Sequence, residues 1–282
     1  MNKLAIVVVL CSVCMVIEAQ SAKEYFSLSN EVSQAAEGDN ELLLQQSRQL
    51  LDWSTRKYEV KRGGKDTLLS VTPYTALIGH AIYYARIDKL DSTFFYLQQA
   101  IDHGMDDKLV FVDNYKDFHQ IYNTPQTIKM KRKMNKRFLS SLATSNERKI
   151  AKQVIDMFEL DQYTRTYYEY SKHVLKADSV ELNSIKSRWE TIDRRNQTAM
   201  MDILDNYGYP GKSLMGDSRA ECAFFIIQHF KDVEQQQKYY PMLKQAAEQG
   251  ELDPFMLMMI EDRINIKEGN VQKHGTQTFI IE

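Results

Sequence analysis

The chain has 282 residues, with 36 Lys and Arg against 38 Asp and Glu. That balance excludes a polyanion partner for the chain as a whole. Hydrophobic residues make up 43%, including 16 Tyr and 12 Phe, while 11 Gly and 5 Pro are few; such a composition fills a sizeable core, favours long helices and excludes a collagen-like or disordered chain.

Met1-Asn2-Lys3 opens with a positive charge, Leu4 to Ile17 is nearly all apolar, and Ile17 and Ala19 stand three and one residues before a cut ahead of Gln20. This is the pattern of a secretory signal peptide cleaved after Ala19. The alternative is an uncleaved anchor helix, for which the apolar run falls short of the roughly 20 residues that span a bilayer. The expected location is therefore exported, periplasmic or extracellular, with no transmembrane span after signal removal. Cys11 and Cys14 leave with the signal. Cys222, in the apolar run from Ala220 to Ile227, reads as a small core residue instead of a nucleophile.

Residues 22–140 read as a helical-hairpin region. Segments 24–37 and 40–58 form a helical pair broken at Gly38-Asp39, and Lys61 to Asp66 is expected to be a loop. Thr72-Pro73 opens a helix to about Arg86, with Ala76, Leu77, His80, Ala81 and Tyr84 on one face. Its partner runs from Ser92 to His103, and Gly104 suits the residue just past a helix end. Ala81, Tyr84, Leu97 and Ala100 stand where a tetratricopeptide-type hairpin places its contacts, and the segment at about 73–104 resembles one such repeat. That resemblance implies a protein or peptide partner and no chemistry. A short helix is expected from Asp113 to Tyr122. Lys129, Lys131, Arg132, Lys133, Lys136 and Arg137 make a basic run, read either as a patch for an anionic ligand or membrane surface, or as a solvated linker helix. Without interleaved aromatics it does not suit nucleic acid.

Residues 147–282 read as a second helical domain. A stripe runs Val154, Phe158, Asp161, Arg165, Tyr168, with Asp161 and Arg165 one turn apart. The helix from about Val180 to Tyr207 carries Ile185, Trp189, Ile192, Asn196, Ala199 and Ile203, with Asp193 on the stripe's border. Ser218 is expected to cap an apolar, central helix that ends in Gln228-His229. Pro241 starts the next helix, closed by Gly250, and Asp253-Pro254 starts another to Lys267, with Asp262 interrupting its apolar face. Val271 to Glu282 has room for a small β-hairpin. The fold class is all-α.

Buried charges are costly unless paired, so Asp161, Arg165, Asp193, Asn196, His229 and Asp262 are expected to converge. Two readings stay open. The cluster is a network that fixes helix register, or it is a site. In a site His229 is the proton carrier, Asp193 or Asp262 its orienter and Arg165 an anion clamp. His229, Asp193 and Asp262 are thus the catalytic candidates. Asp161-Gln162-x-x-Arg165, Asp193-x-x-Asn196, Tyr207-Gly-Tyr-Pro210, Gly216, Gln228-His229, Asp262-Arg263 and Gly275-Thr-Gln277 follow one another in an order that resembles a bacterial family, Domain of Unknown Function 6624, from about Ile150 to Gln277. The resemblance implies that these polar residues form a shared set and brings no activity or catalytic residue with it. Asp161, Arg165, Asn196, Gln228, Arg263 and Gln277 are the ligand-binding candidates, for a small polar ligand.

Gly211-Lys212-Ser213 looks like the end of a phosphate-binding loop, but Asn206 stands where that loop needs its first Gly. With no His-x-x-x-His pair, Cys/His cluster, Gly-x-Ser-x-Gly elbow or dinucleotide fingerprint, no metal site and no cofactor is expected. The functional expectation is a binding or scaffold protein with a polar ligand pocket in its second domain. The alternative is a cell-envelope hydrolase using the His/Asp/Arg cluster.

Overall fold

The computed structural model describes residues 40–277, apart from 56–57, 63–64, 70–73, 106–107 and 109. The expected signal segment, the helix at 24–37 and residues 278–282 lie outside the described residues. The chain divides into two compact units at Phe138/Leu139, and among the described residues the fold is helical except for one two-stranded hairpin.

In the first unit, α1 (Asn40–Thr55) buries Leu43, Ser47 and Leu50, the four- and three-residue steps of one helix face. Strands β1 (Tyr58–Arg62) and β2 (Lys65–Leu69) pair antiparallel, with Arg62 opposite Lys65. Residues 61–62 and 65–66, expected in a loop, are therefore the inner ends of two paired strands: Tyr58, Val60 and Thr67 favour strands, and a pair of glycines between two such runs is a hairpin signature in sequence. Helix α2 (Tyr74–Arg86) packs against both α1 and α3 (Leu90–Asp102). Small Ala76, Ala81, Ala85 and Ala100 are all buried, which lets the helix axes approach closely. His80 is buried in this contact. Its Nδ1 lies 2.8 Å from the Ala76 carbonyl and its ring stacks on Tyr96, and burial lowers its pKa. The helix expected at 113–122 forms as two single-turn helices, α4 (Val110–Asp113) and α5 (Tyr115–Phe118). Helix α6 (Pro125–Ser141) buries Thr127, Met130, Met134 and Phe138. On its polar side Lys133 pairs with Asp102, Arg137 donates to the Ile101 carbonyl and Lys131 sits over the Tyr122 ring. Lys129, Arg132 and Lys136 are exposed.

The second unit is built on two 29-residue helices, α7 (Ser145–His173) and α8 (Ser179–Tyr207). Thr144 and Glu147 close a capping box on α7: the Thr144 hydroxyl accepts from the Glu147 N–H and the Glu147 carboxylate accepts from the Thr144 N–H. The Asp178 carboxylate caps α8 by accepting from the Val180 and Glu181 N–H groups. The two helices run antiparallel, since contacts step from Met157–Asn196 through Arg165–Asp193 to Tyr168–Trp189.

After α8, Gly208 ends the helix at φ 80°. A single-turn α9 (Lys212–Met215) and a 3-10 turn (Asp217–Arg219) lead to α10 (Cys222–Gln228). The start expected at Ser218 falls in that 3-10 turn, and the Ser218 side chain caps no helix. Cys222, Ala223, Phe224, Ile226 and Ile227 are buried, so α10 is central, in contact with α7, α8, α11 (Val233–Glu248) and α12 (Pro254–Lys267).

Pro241 lies inside α11 and does not begin it. The buried face of Gln236, Tyr239, Leu243 and Ala246 continues through the proline, and its packing outweighs the local cost of a missing donor. Asp253 caps α12, accepting from the Phe255 N–H. Residues 271–277 form no strand.

Candidate functional site

Asp161 is 1% exposed, so its carboxylate needs donors from the protein. It has three. Arg165, one turn on, brings Nη1 to 2.5 Å from Oδ1; the Gln162 amide nitrogen is 2.7 Å from Oδ2; and His229 Nδ1 is 3.1 Å from both oxygens. The second terminal nitrogen of Arg165 lies 3.0 Å from each oxygen of Asp193 on α8. The same guanidinium stacks 4.6 Å over the Trp189 ring. Asp161, Arg165, Asp193 and His229 therefore converge as the burial argument requires. Their side chains are 1, 17, 24 and 15% exposed, so the cluster is closed on the Asp161 side and reachable on the other.

One partner differs from those expected: His229 is oriented by Asp161, and by neither Asp193 nor Asp262. Arg165 finds the paired charges that its burial calls for, Asp161 within its own helix and Asp193 across the helix pair. Asn196 faces the same helix pair but donates to the Met157 carbonyl at 3.2 Å, tying α8 to α7 outside the ionic cluster.

A neutral imidazole facing a carboxylate must carry its proton on Nδ1, because a lone pair there would oppose the oxygens. Burial lowers the pKa of His229, and Arg165 and Arg263 add to that; the hydrogen bond and charge of Asp161 oppose it without reversing it. Nε2 is then the acceptor, and among the described residues nothing hydrogen-bonds to it. For Asp193, burial raises the pKa, with Asp161 adding to the rise and Arg165 opposing it.

Three side chains fix the end of α10 that presents His229. The last carbonyls of a helix lack intrahelical donors. Here Gln236 donates to the Ile227 and Gln228 carbonyls, Arg263 donates to Gln228 at 3.1 Å, and Lys267 reaches the Phe230 carbonyl at 2.6 Å. Gln228 is itself buried, and its Oε1 has no hydrogen-bond partner among the described residues.

Asp262 does not join the cluster. It is 0% exposed, and its carboxylate accepts from the backbone N–H groups of Lys273, His274 and Thr276 and from the Thr276 hydroxyl, all at 2.7–2.8 Å. Burial alone would raise its pKa, but these four donors outweigh burial and hold it at about 2. Helical periodicity had placed Asp262 in the core correctly. Its partners are main-chain donors of the following loop, which no side-chain pattern reveals. Neighbouring Glu261 also fastens this loop, through His274 at 2.6 Å, and accepts from the Tyr240 hydroxyl on α11; those hydrogen bonds lower its pKa to about 2. The loop delivers Gln277, whose Oε1 accepts from Arg263 Nη2 at 2.9 Å and whose amide nitrogen donates to the Met259 carbonyl at 3.0 Å.

Sequence reasoning missed Gln236, Glu261 and Lys267 as supporting residues. It had Gln162 in the polar set and Trp189 on the helix stripe, but gave neither a partner. It also left Gly211 unexplained. A Cβ at that residue would lie 2.6 Å from the Glu251 carbonyl oxygen. The N–H groups that follow it, of Lys212 and Ser213, are bound by Glu251. The phosphate-loop likeness of this segment is thus an internal contact.

Among the described residues, no group of three His, Cys, Asp or Glu side chains is placed to hold a metal ion, and no helix is long and apolar enough to cross a membrane. A surface concavity of about 670 Å³ lined by Glu41, Arg48 and Tyr83 belongs to the first unit and holds none of the clustered residues. No curated protein and no solved structure matches the chain. Residues 149–282 match the model described as Family of unknown function (DUF6624). That stretch holds the Asp161–His229 couple, Arg263 and the loop fastened by Asp262, and by this match the second half of the chain is similar to the DUF6624 family.

Proposed function

We propose that the protein is exported and that its second unit captures a small polar ligand at the Asp161–His229 couple, while the helical hairpin of the first unit serves a protein or peptide partner. The observation that carries the ligand site is the state of His229. Nδ1 is engaged by a buried carboxylate, Nε2 has no partner among the described residues, and the side chain is 15% exposed. A histidine that only filled the core would satisfy both nitrogens or be sealed. Export rests on the N-terminal pattern ending at Ala19; an intact mass beginning at Gln20 supports it, and a secreted product that retains residues 1–19 contradicts it.

The ligand site is tested by a thermal-shift screen of the mature protein against polar metabolites and cell-envelope fragments. A ligand of this site raises the melting temperature of the native chain and not of His229→Gln. A shift that survives the substitution places binding elsewhere. Hydrolysis of an envelope component is the second reading. It is favoured by the carboxylate behind the imidazole, which leaves Nε2 poised to accept a proton near neutral pH. Turnover of a screened fragment, lost in His229→Gln, separates it from capture alone.

A further inference from the structure

Arg263 differs from Arg165 in what holds it. Arg165 is held by two carboxylates. Arg263 donates to the Gln228 carbonyl and, through Nε and Nη2, to Gln277 Oε1. These acceptors are neutral, and among the described residues no carboxylate pairs with this guanidinium. The partners are themselves fixed. Gln277 is locked by Met259 and Gln272, on a loop that Asp262 fastens, and Gln228 is buried at the end of α10. The fold therefore spends a loop, a buried aspartate and a glutamine on orienting a cation that has no counter-ion among the described residues. Capping the Gln228 carbonyl does not explain this, since it uses one of the five N–H donors of a guanidinium and since Gln236 already serves that carbonyl at 2.8 Å. A partly buried cation with only neutral partners is costly, and an arriving anion removes the cost. Burial and the charge of Arg165 both lower the Arg263 pKa, which marks the same deficit of negative charge.

We propose that Arg263 binds an oxyanion, a carboxylate or phosphoryl group, of the ligand that reaches His229 Nε2. The Gln228 carbonyl that Arg263 holds belongs to the residue next to His229, so the guanidinium and the imidazole serve one small molecule. Arg263 supplies charge-assisted hydrogen bonds, and Nε2 accepts a proton or hydrogen bond from the same ligand. The inference rests on the reading of His229 given above and adds the class of ligand.

The test titrates the full mature chain with inorganic phosphate and separately with acetate, at ionic strength matched with sodium chloride. The His229 ring signals are followed by nuclear magnetic resonance. One anion is expected to shift these signals saturably and to raise the His229 pKa, and which one does so distinguishes a phosphoryl from a carboxylate ligand. Arg263→Gln weakens that binding at least roughly tenfold, the loss of a charged hydrogen-bond donor, and Arg263→Lys retains part of it. Equal shifts with chloride, no shift with either anion in the native chain, or undiminished binding in a folded Arg263→Gln protein each overturn the proposal. The native titration decides the matter even if that variant does not fold. Without added anion, the same spectra show whether Nε2 is the free acceptor. If it is, failure of the anion arm removes only the ligand class. If Nε2 is protonated and engaged, the reading of His229 fails first.

Discussion

At the residue scale, what a buried charge touches decides what it does. Asp161 and Asp262 are equally buried, yet one holds a histidine and the other holds a loop. Asp262→Asn keeps the shape and loses charge-assisted acceptance, and it should cost on the order of 3 kcal/mol, two such bonds at about 1.5 kcal/mol each, measured by urea denaturation at pH 7. Its pKa is depressed to about 2, so the carboxylate contributes stability in full above its unfolded value of about 3.9. That contribution is lost as pH falls through about 2, and the gap between native and Asp262→Asn proteins should close over this window. Arg165→Met removes the counter-ion of both Asp161 and Asp193 and should cost about 3–5 kcal/mol; a cost below about 1 kcal/mol would mean that the cluster is wet and its charges independent.

At the element scale, helices and their faces were legible because burial imposes a period. The stripe through Val154, Phe158, Asp161 and Arg165 lies on α7 where the spacing put it, and Asp253-Pro254 does start α12. Two readings failed where packing between elements overrode local signals. Pro241 marked a start by sequence, yet a buried face running through it keeps α11 continuous. Ser218 had the residue type of a cap, but the chain makes a 3-10 turn there before α10 begins. The capping box on α7 should be worth about 1 kcal/mol, lost in Thr144→Ala. Gly211→Ala places a methyl 2.6 Å from the Glu251 carbonyl oxygen and should cost about 1–3 kcal/mol as the two segments separate. Equal stability of the Gly211→Ala and native proteins in urea would show that the close approach of these backbones is not needed.

At the scale of the whole molecule, composition pointed to a mainly helical protein, and the order of short polar motifs pointed to the family whose model residues 149–282 match. Which polar residue meets which was not legible. Asp193 or Asp262 was the partner expected for His229, whereas Asp161 holds it, because the end of α10 is placed against α7, and that placement depends on how Gln236, Arg263 and Lys267 gather its last carbonyls. The pairing also sets a pH response for the folded chain. The folded pKa of His229 is lowered by burial, so the group is neutral in the fold, and its contribution is complete above the unfolded value of about 6.5. As pH drops below that value the unfolded chain takes up the proton first, and stability declines. His229→Gln should flatten this part of the profile. The tautomer of His229 tests the pairing most directly, read from ring nitrogen chemical shifts of the mature protein at pH 7.5 and compared with Asp161→Asn. A proton on Nδ1, an unprotonated Nε2, and a His229 pKa that falls further when Asp161 loses its charge are the predicted result; a proton on Nε2, or a pKa unmoved by Asp161→Asn, would contradict it.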